Sequence, residues 1–249
     1  MEAYTEFANV YDVMMDDIPY GEWADYVEEL LADVGVKREG MQIAEIGCGT
    51  GNFLIEMAKR GYRISGVDLS PEMLAVAKKK LEDLGDTQTK LLEQDMCKLR
   101  LMDRVDAIVS ICDSINYVLE PDALAEVFRH VDKNLKSNGV FIMDMKTKHF
   151  FEDVLAYNTM AANYENCSYI WDNYYHEEER VNEYLLTLYI KEGVYYRRCV
   201  ESHYQKAYEI KEIQNIARAN GFTRIDVYDA FTFDEPSKYS ERVYFVFQR

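Results

Sequence analysis

The sequence lacks the cysteine pairs that hold a metal or build a disulfide framework. Its 249 residues include five cysteines, at Cys48, Cys97, Cys112, Cys167 and Cys199, and no two of them have the C-x-x-C spacing of a zinc site. Single scattered thiols are typical of buried, reduced cysteines. No apolar run approaches the length that spans a membrane. We therefore expect a cytoplasmic protein with no metal site and no membrane association.

Basic residues are scarce as well. The chain has 28 Lys and Arg against 45 Asp and Glu, which gives a formal net charge of −17. An acidic surface repels phosphate backbones, so nucleic acid is a disfavoured partner. The basic triplet Lys78–Lys80 falls on a predicted helix and is interpreted as a solvated face. The acidic balance suits a cationic ligand, although solubility explains it equally well.

The first 146 residues alternate short apolar segments with amphipathic helices. Pro121 begins the last of these helices, and Asn138–Gly139 is predicted to end it. Strands separated by helices of this length favour a parallel sheet covered on both faces, so the predicted fold class is α/β. Five strands are expected in this part of the chain, at 42–46, 62–67, 89–93, 105–111 and 140–145.

The pattern changes after Lys146. Residues 163–206 are rich in tyrosine and β-branched residues, which predicts about three antiparallel strands with a hairpin turn at Lys191–Gly193. Helical spacing returns at 210–217, and two last strands, about 222–229 and 242–248, are expected to pair antiparallel. The length allows one large domain with a sizeable insertion. We therefore predict an insertion at 147–206 in a domain formed by 1–146 plus 207–249.

The chemistry is concentrated in the turn Glu45–Gly51, which lies between the first strand and a helix. Glycines there let the backbone turn sharply and let a ligand lie against the amides of a helix N-terminus. A nicotinamide fingerprint, G-x-G-x-x-G, needs a third small residue at position 52. Asn52 stands there instead, so the turn does not match that fingerprint. Asp68 ends the second strand, where a carboxylate can accept hydrogen bonds from ribose hydroxyls. Gln94–Met96, after the third strand, could meet the exocyclic amine of an adenine.

These residues resemble the class I S-adenosylmethionine-dependent methyltransferases. The resemblance covers nearly the whole chain and implies a Rossmann-like sheet of seven strands, ordered 3-2-1-4-5-7-6, with the last strand antiparallel. It implies S-adenosylmethionine as the cofactor. We expect the methyl acceptor, which the sequence does not identify, to be a small molecule or protein-borne. The implied cofactor-binding residues are Tyr11, Glu45, Gly47, Cys48, Gly49, Gly51, Asn52, Asp68, Leu69, Asp95, Met96 and Cys112.

The segment Tyr4-x-x-Phe7-Ala8-x-x-Tyr11-Asp12 is similar to the N-terminal cap of a group of small bacterial methyltransferases. The late antiparallel insertion and the run Asp113-Ser114-x-Asn116-Tyr117 resemble the same group. In those proteins a cap, here about residues 1–35, and a lid, here 147–206, fold over the cofactor site. The resemblance implies that Tyr11 lies near the methionine part of the cofactor.

The sequence assigns no catalytic residue, because methyl transfer mainly requires alignment and exclusion of water. Asp113, Asn116 and Tyr117 are candidates for the site, with Asp113 or Ser114 equally interpretable as a helix cap. His176 and His203 are better explained as structural than as bases. Tyrosines of the insertion either line a substrate pocket or form the packing face of the lid, namely Tyr189, Tyr195, Tyr196 and Tyr204.

Two other functions stay open at this point. One is a nicotinamide-dependent oxidoreductase, which Asn52 disfavours, and the other is a non-catalytic protein that uses the cofactor fold for binding or assembly. A carboxylated form of the cofactor would require a basic residue near the methyl position. The sequence points to no such residue.

Overall fold

The computed structural model describes residues 7–36 and 38–249. Tyr4 lies outside them. A main sheet is built from the strands β1 Gln42–Ile46, β2 Arg63–Asp68, β3 Lys90–Glu93, β4 Val105–Ser110, β5 Leu135–Lys146, β10 Arg224–Asp229 and β11 Arg242–Gln248. The helices are α1 Tyr11–Met14, α2 Tyr20–Asp33, α3 Asn52–Lys59, α4 Pro71–Leu84, α5 Pro121–Asn134 and α6 Ile210–Ala219. None of the described helices is long and apolar enough to cross a membrane.

The main sheet has the strand order β3-β2-β1-β4-β5-β11-β10. All of its pairs are parallel except those of β11, which runs antiparallel to both of its neighbours. The predicted order 3-2-1-4-5-7-6 is therefore confirmed. Strand residues alternate between two buried clusters, with Ile43 in one and Ala44 and Ile46 in the other. Helices cover both faces, as a parallel sheet requires.

The fifth strand begins earlier than the sequence predicted. Helix α5 ends at Asn134, and β5 starts at Leu135, whose side chain is fully buried. Leu135 pairs with Val105, but the next paired residue is Val140 opposite Ala107, so the register shifts between them. The Asn138–Gly139 signal therefore marks a β-irregularity within the strand, and its assignment as the end of the helix was wrong.

A second sheet lies between β5 and α6. We call it the lid sheet; it consists of β6 Thr159–Asn163, β7 Cys167–His176, β8 Val181–Glu192 and β9 Tyr195–Lys206. Its strands follow one another in an antiparallel meander. The sequence predicted about three strands from residue 163, but the structure has four from residue 159. The missed strand, β6, is short and mostly exposed, so it carries no alternating pattern.

The hairpin between β8 and β9 also differs from the prediction. Glu192 pairs directly with Tyr195, so the turn consists of Gly193 and Val194 rather than Lys191–Gly193. Gly193 has φ +66°, which matches the positive φ that a two-residue hairpin turn requires. Between the two sheets, Phe150–Leu155 forms one short π-helix.

Residues 7–14 pack between the lid sheet and α4 of the main domain, where Met73 joins their buried cluster. Phe7, Ala8 and Val10 share a buried cluster with Leu186 and Leu188 of β8. Helix α2, by contrast, buries its apolar stripe in the main core, together with strand β1. The first part of the N-terminal segment therefore contacts the lid sheet, and its helix α2 contacts the main core.

Candidate functional site

A cavity of about 930 Å³ lies at the carboxyl ends of the first four strands. In open α/β sheets this edge is where ligands bind. The glycine turn and the strand-end acids of the main sheet line it together with Trp171, Tyr184 and Gln205 of the lid sheet. Eleven of the twelve predicted cofactor-binding residues line this cavity; Gly51 does not. Gly51 instead precedes α3 with φ +77°, and a Cβ there would lie 3.1 Å from the Ala77 Cβ.

The glycine turn is held by hydrogen bonds to the neighbouring strand. The amides of Gly47 and Cys48 donate to the Val67 carbonyl oxygen at 2.7 and 3.1 Å. Gly47 has φ +74°, and a Cβ there would lie 2.6 Å from the Cβ of Ser114. Gly49 has φ +52° with open space beside it and lines the cavity. Glycine is needed at the first position for close packing and at the second for backbone exposure to a ligand.

Glu45 carries a buried carboxyl at the cavity wall. Its side chain is 3% exposed, and Oε2 has no hydrogen-bond partner among the described residues. Burial and the nearby charge of Asp68 raise the pKa of Glu45 well above its ordinary value. A buried carboxylate without a partner is costly. This position therefore favours a cationic ligand that would compensate its charge.

Asp68 and Asp95 follow neighbouring strands, as the sequence predicted. Asp68 Oδ2 accepts from the Gly49 amide at 2.7 Å and Oδ1 from the Ser70 amide at 2.9 Å. Burial raises the pKa of Asp68, and these backbone hydrogen bonds oppose the rise. Asp95 Oδ1 accepts from the Cys97 amide at 2.8 Å. Both carboxylates are thus fixed in orientation, with unused lone pairs for a nucleoside.

The N-terminal segment is joined to the glycine turn by Asp12. Its Oδ1 accepts from the Thr50 hydroxyl at 2.6 Å and from the Asn52 amide group at 2.9 Å. Its Oδ2 lies 2.6 Å from the Lys80 ammonium on α4. We call this group the Asp12 latch. It places Tyr11 at the cavity wall.

Tyr20 is a cavity residue that sequence reasoning missed. It begins α2 and lines the cavity beside Tyr11. Burial raises its pKa, and side-chain hydrogen bonds to Asn52 and Tyr11 oppose the rise. The phenol therefore stays protonated at neutral pH. Its only sequence signal was a tyrosine directly after Pro19 at a helix start.

Asp113 is the centre of a buried charged network. Its Oδ1 accepts from Arg242 Nη2 at 2.7 Å, while Oδ2 accepts from Gln205 at 2.7 Å and lies 3.1 Å from the Lys146 ammonium. Arg242 also pairs with the fully buried Asp144. Burial raises the pKa of Asp113, but the Lys146 and Arg242 charges hold it below its ordinary value.

Asp113 occupies the N-cap position of a short helix, but its carboxylate does not cap that helix. Its side chain makes no capping hydrogen bond to the 3₁₀ helix Ser114–Tyr117, because Arg242, Gln205 and Lys146 engage the carboxylate. Cys112 and Asp113 both have positive φ, +61° and +52°, at the cavity wall. Strained backbone of this kind persists where the surrounding contacts enforce it.

Asn116 and Tyr117, the other candidates of this run, have separate roles. The Asn116 amide donates to the carbonyl oxygens of Lys146 and Lys206, at 3.2 and 2.8 Å, and so ties the lid sheet to the main sheet. Tyr117 lines the cavity. Lys146 lines it too, and is the basic residue that the sequence did not reveal. Asp113 compensates its charge, so it does not point to a carboxylated cofactor.

The candidate tyrosines of the insertion are not in the cavity. Tyr195, Tyr196 and Tyr204 are 76%, 54% and 42% exposed. The pocket interpretation is wrong for these residues, because Tyr196 and Tyr204 lie on the opposite face of β9 from Gln205, and Tyr195 lies at the hairpin end. Tyr189, on β8, also faces away from the cavity-lining Tyr184.

The two histidines of the insertion do not line the cavity either. His176 is exposed and lies 3.4 Å from the carboxylate of Glu183. His203 is buried, with its ring against those of Phe7 and Tyr117 and its Nε2 3.5 Å from Glu201. Both contacts agree with a structural role.

A glycine turn and two strand-end acids facing one cavity define a nucleoside-cofactor enzyme of the Rossmann-like class. Residues 43–139 match the family model described as a methyltransferase domain. A Geobacillus protein (strain WCH70) named as a methyltransferase is 34% identical over 249 residues, covering 98% of each chain. The chain therefore belongs to the class I S-adenosylmethionine-dependent methyltransferases.

Solved structures agree with this assignment. An S-adenosylmethionine-dependent methyltransferase from Clostridium acetobutylicum superposes with a TM-score of 0.86 at 26% identity, covering 99% of both chains. A sugar N-methyltransferase from Streptoalloteichus has a TM-score of 0.77 at 21% identity, covering 96% of this chain and 92% of its own. The second likeness concerns the fold alone. The protein is thus an enzyme that transfers a methyl group from S-adenosylmethionine to an acceptor.

Proposed function

We propose that this methyltransferase acts on a small molecule bound beneath the lid sheet. The observation that carries the proposal is the cavity itself, whose lining comes jointly from the main sheet and the lid sheet. Its volume of about 930 Å³ lies at the upper end of the roughly 300–1,000 Å³ found for small-molecule sites. Such a volume accommodates a nucleoside cofactor and a small acceptor together.

The residues of the main sheet fit S-adenosylmethionine. Glu45 presents an uncompensated buried carboxylate oxygen to a ligand that is cationic. Asp68, Leu69, Asp95 and Met96 form the side of the cavity that would take the adenosine, and Leu69 is 69% exposed there. We assign Tyr11, Gly47, Cys48, Gly49, Asn52 and Cys112 to the rest of the cofactor site. Gly51 does not line the cavity; we assign it an indirect role, in which its positive φ shapes the glycine turn that contacts the cofactor.

When bound, the cofactor supplies a methyl group already activated on a sulfonium centre. The protein then has to align the acceptor and keep water away. Protonated Tyr11 and Tyr20 would orient the cofactor. Trp171 and Tyr184, with ring centroids 5.4 Å apart, offer aromatic faces to the acceptor. Aromatic rings also attract the positive charge of a sulfonium.

The order of the segments along the chain supports a cofactor domain with a separate lid over the acceptor. We assign residues 147–206 as a lid on a cofactor domain formed by 1–146 and 207–249. The Asp12 latch and the Gln205–Asp113 hydrogen bond tie the N-terminal cap and the lid to that domain. The structurally similar sugar N-methyltransferase has a small acceptor by its name. A cytoplasmic location is proposed because the chain has only five cysteines, scattered and without paired spacing, as is typical of a reducing compartment.

The test is to label a cell extract with methyl-labelled S-adenosylmethionine and then separate an ultrafiltrate from the protein fraction. We expect the enzyme-dependent label in the ultrafiltrate. Label confined to protein would overturn the small-molecule proposal. Trp171→Leu should lower the labelling while leaving the affinity for S-adenosylhomocysteine unchanged. Tyr195→Leu, at an exposed position of the same sheet, should behave like the wild type.

A further inference from the structure

The face of the lid sheet that points away from the cavity is rich in aromatic and branched side chains. Cross-strand pairing sets its membership, because paired residues share a face. Tyr174 pairs with Glu183 and Glu183 with Tyr204, while Ile170 pairs with Thr187 and Thr187 with Val200. The large side chains of this outer face are Ile170, Tyr174, Leu185, Tyr189, Tyr196, Val200 and Tyr204.

The other face of the same sheet accounts for its packing within the chain. Leu186, Leu188 and Cys167 join the cluster formed with residues 7–10, and Tyr175 and Tyr184 join the cluster around the π-helix. On the outer face, Ile170, Tyr174, Tyr196 and Tyr204 are 39%, 42%, 54% and 42% exposed. Exposed apolar patches of this kind mark interaction sites, and tyrosine is enriched in protein interfaces.

Charge is distributed unevenly along this face. The turn between β7 and β8 contains Glu177–Glu179, and the outer face next to it carries Glu183 in its second row and Asp172 in its third, after a first row of His176, Val181 and Lys206. Lys206 is at this end too, where its ammonium donates to the Glu179 carbonyl oxygen. The opposite end of the face carries Lys191 and Arg198, on neighbouring strands. The face is thus acidic at one end and basic at the other.

A second copy of this chain complements that distribution. Two identical faces related by a two-fold axis that lies in the interface, perpendicular to the strands, meet end to opposite end. The half with Asp172 and Glu183 of one copy then faces the half with Lys191 and Arg198 of the other. Such an interface is self-complementary, as two-fold dimers require. The net charge of −17 makes the rest of the surface repel a second copy. This bipolar face is therefore the suitable place for self-association.

The size of the face is sufficient for a dimer. Its strands have 5, 10, 12 and 12 residues. At about 3.3 Å per residue and about 4.8 Å between strands, the face measures roughly 600 Å² per copy. Two copies would bury roughly 1,200 Å², the lower end of the range for stable interfaces. Stacked sheets with interdigitating side chains are a common packing arrangement.

We infer that the protein is a two-fold dimer in which the lid sheets of two copies stack through their outer faces. The inner face of each lid sheet lines the cavity with Trp171, Tyr184 and Gln205. The partner copy therefore supports the lid from behind and limits its movement. This dimer does not depend on the identity of the acceptor.

The test is the molar mass of the full chain in solution, measured by light scattering after size exclusion over a dilution series. We expect twice the chain mass of 29.2 kDa. Val200→Glu, at the centre of the outer face, should give the monomer mass. Met102→Glu, at a site 84% exposed on the main domain, should stay dimeric. Unchanged stabilisation by S-adenosylhomocysteine will show that Val200→Glu is folded.

Charge exchange tests the orientation of the two copies. Glu183→Arg and Arg198→Glu should each weaken the dimer several-fold, because each places like charges opposite each other. An equimolar mixture of the two variants should restore a dimer, since both contacts are then complementary. A wild-type chain that stays monomeric at its highest soluble concentration would overturn the inference. So would a dimer that both Val200→Glu and the charge variants leave intact.

Discussion

Arg242 Nη2 donates to Asp113 Oδ1 at 2.7 Å, although the two residues lie 129 positions apart in the chain. Arg242 is on β11 and Asp113 follows β4, so this contact ties the last strand to the loop at the cavity wall. Gln205 of the lid sheet donates to the same carboxylate. One buried carboxylate thus connects three distant parts of the chain at the site.

We expect Arg242→Met to lower the free energy of unfolding by about 3–5 kcal/mol, because it leaves the buried carboxylates of Asp113 and Asp144 without their arginine. Denaturant unfolding followed by circular dichroism measures the change. Lys136→Met is the control; it removes an ion pair with Asp106 in which Lys136 is 44% exposed. That variant should lose at most about 1 kcal/mol. Equal losses in the two variants would contradict the role given to the buried network.

Glu45→Gln should have opposite effects on stability and on cofactor binding. The folded pKa of Glu45 is raised by burial and by Asp68, so its contribution to stability is complete below the unfolded pKa of about 4.3. That contribution is lost as the pH rises through the folded pKa. Glutamine stays neutral, so the variant should be more stable than the wild type at neutral pH and equal to it at acid pH.

The affinity for S-adenosylmethionine should respond in the other direction. A cation beside Glu45 favours its ionised form, so wild-type affinity should rise as the pH increases from acid towards neutral. Glu45→Gln should bind more weakly and lose this dependence. Calorimetric titration of the cofactor at several pH values measures both effects. Glu39→Gln, at an exposed position, is the control, and a pH dependence that persists in Glu45→Gln would refute the assignment.

Removal of the Asp12 latch should weaken cofactor binding more than it destabilises the fold. Asp12→Ala deletes the acceptor of the Thr50 and Asn52 hydrogen bonds and the partner of Lys80. We expect about tenfold weaker binding of S-adenosylhomocysteine, equivalent to about 1.4 kcal/mol. Asp16→Ala removes an exposed acid four residues further along the chain and should bind normally. Normal binding by Asp12→Ala would show that the latch is dispensable.

Gly47→Ala separates a steric requirement from backbone strain. Gly47 and Gly40 have φ +74° and +72°, but a Cβ at Gly47 would lie 2.6 Å from Ser114, whereas one at Gly40 meets nothing within 4 Å. Gly40→Ala should cost about 1–2 kcal/mol from the left-handed backbone alone. Gly47→Ala should cost more and should also reduce cofactor affinity. Thermal melts with and without S-adenosylhomocysteine compare the two variants.

The local parts of this protein were evident from its sequence. The strands 42–46 and 242–248, the helix start at Pro121 and the glycine turn all appear where the pattern predicted them. Residue periodicity, capping and positive φ are properties of a few neighbouring residues, so they can be interpreted without knowing the fold. The strand order and the cofactor came from resemblance, which the fold and the relatives then confirmed.

Only the tertiary structure shows which residues of the lid sheet line the cavity. Tyr196 and Tyr204 of β9, which the sequence offered for the pocket, face outwards, whereas Trp171, Tyr184 and Gln205 face inwards. Successive residues of a strand point to opposite faces of the sheet, so a shift of one residue exchanges the two faces. Only packing against residues 7–10 and the π-helix determines which face of the lid sheet is buried. The Asp113–Arg242 pair depends likewise on the register of β11 against β5. Sequence patterns are local, and these contacts join residues that only the folded sheets bring together.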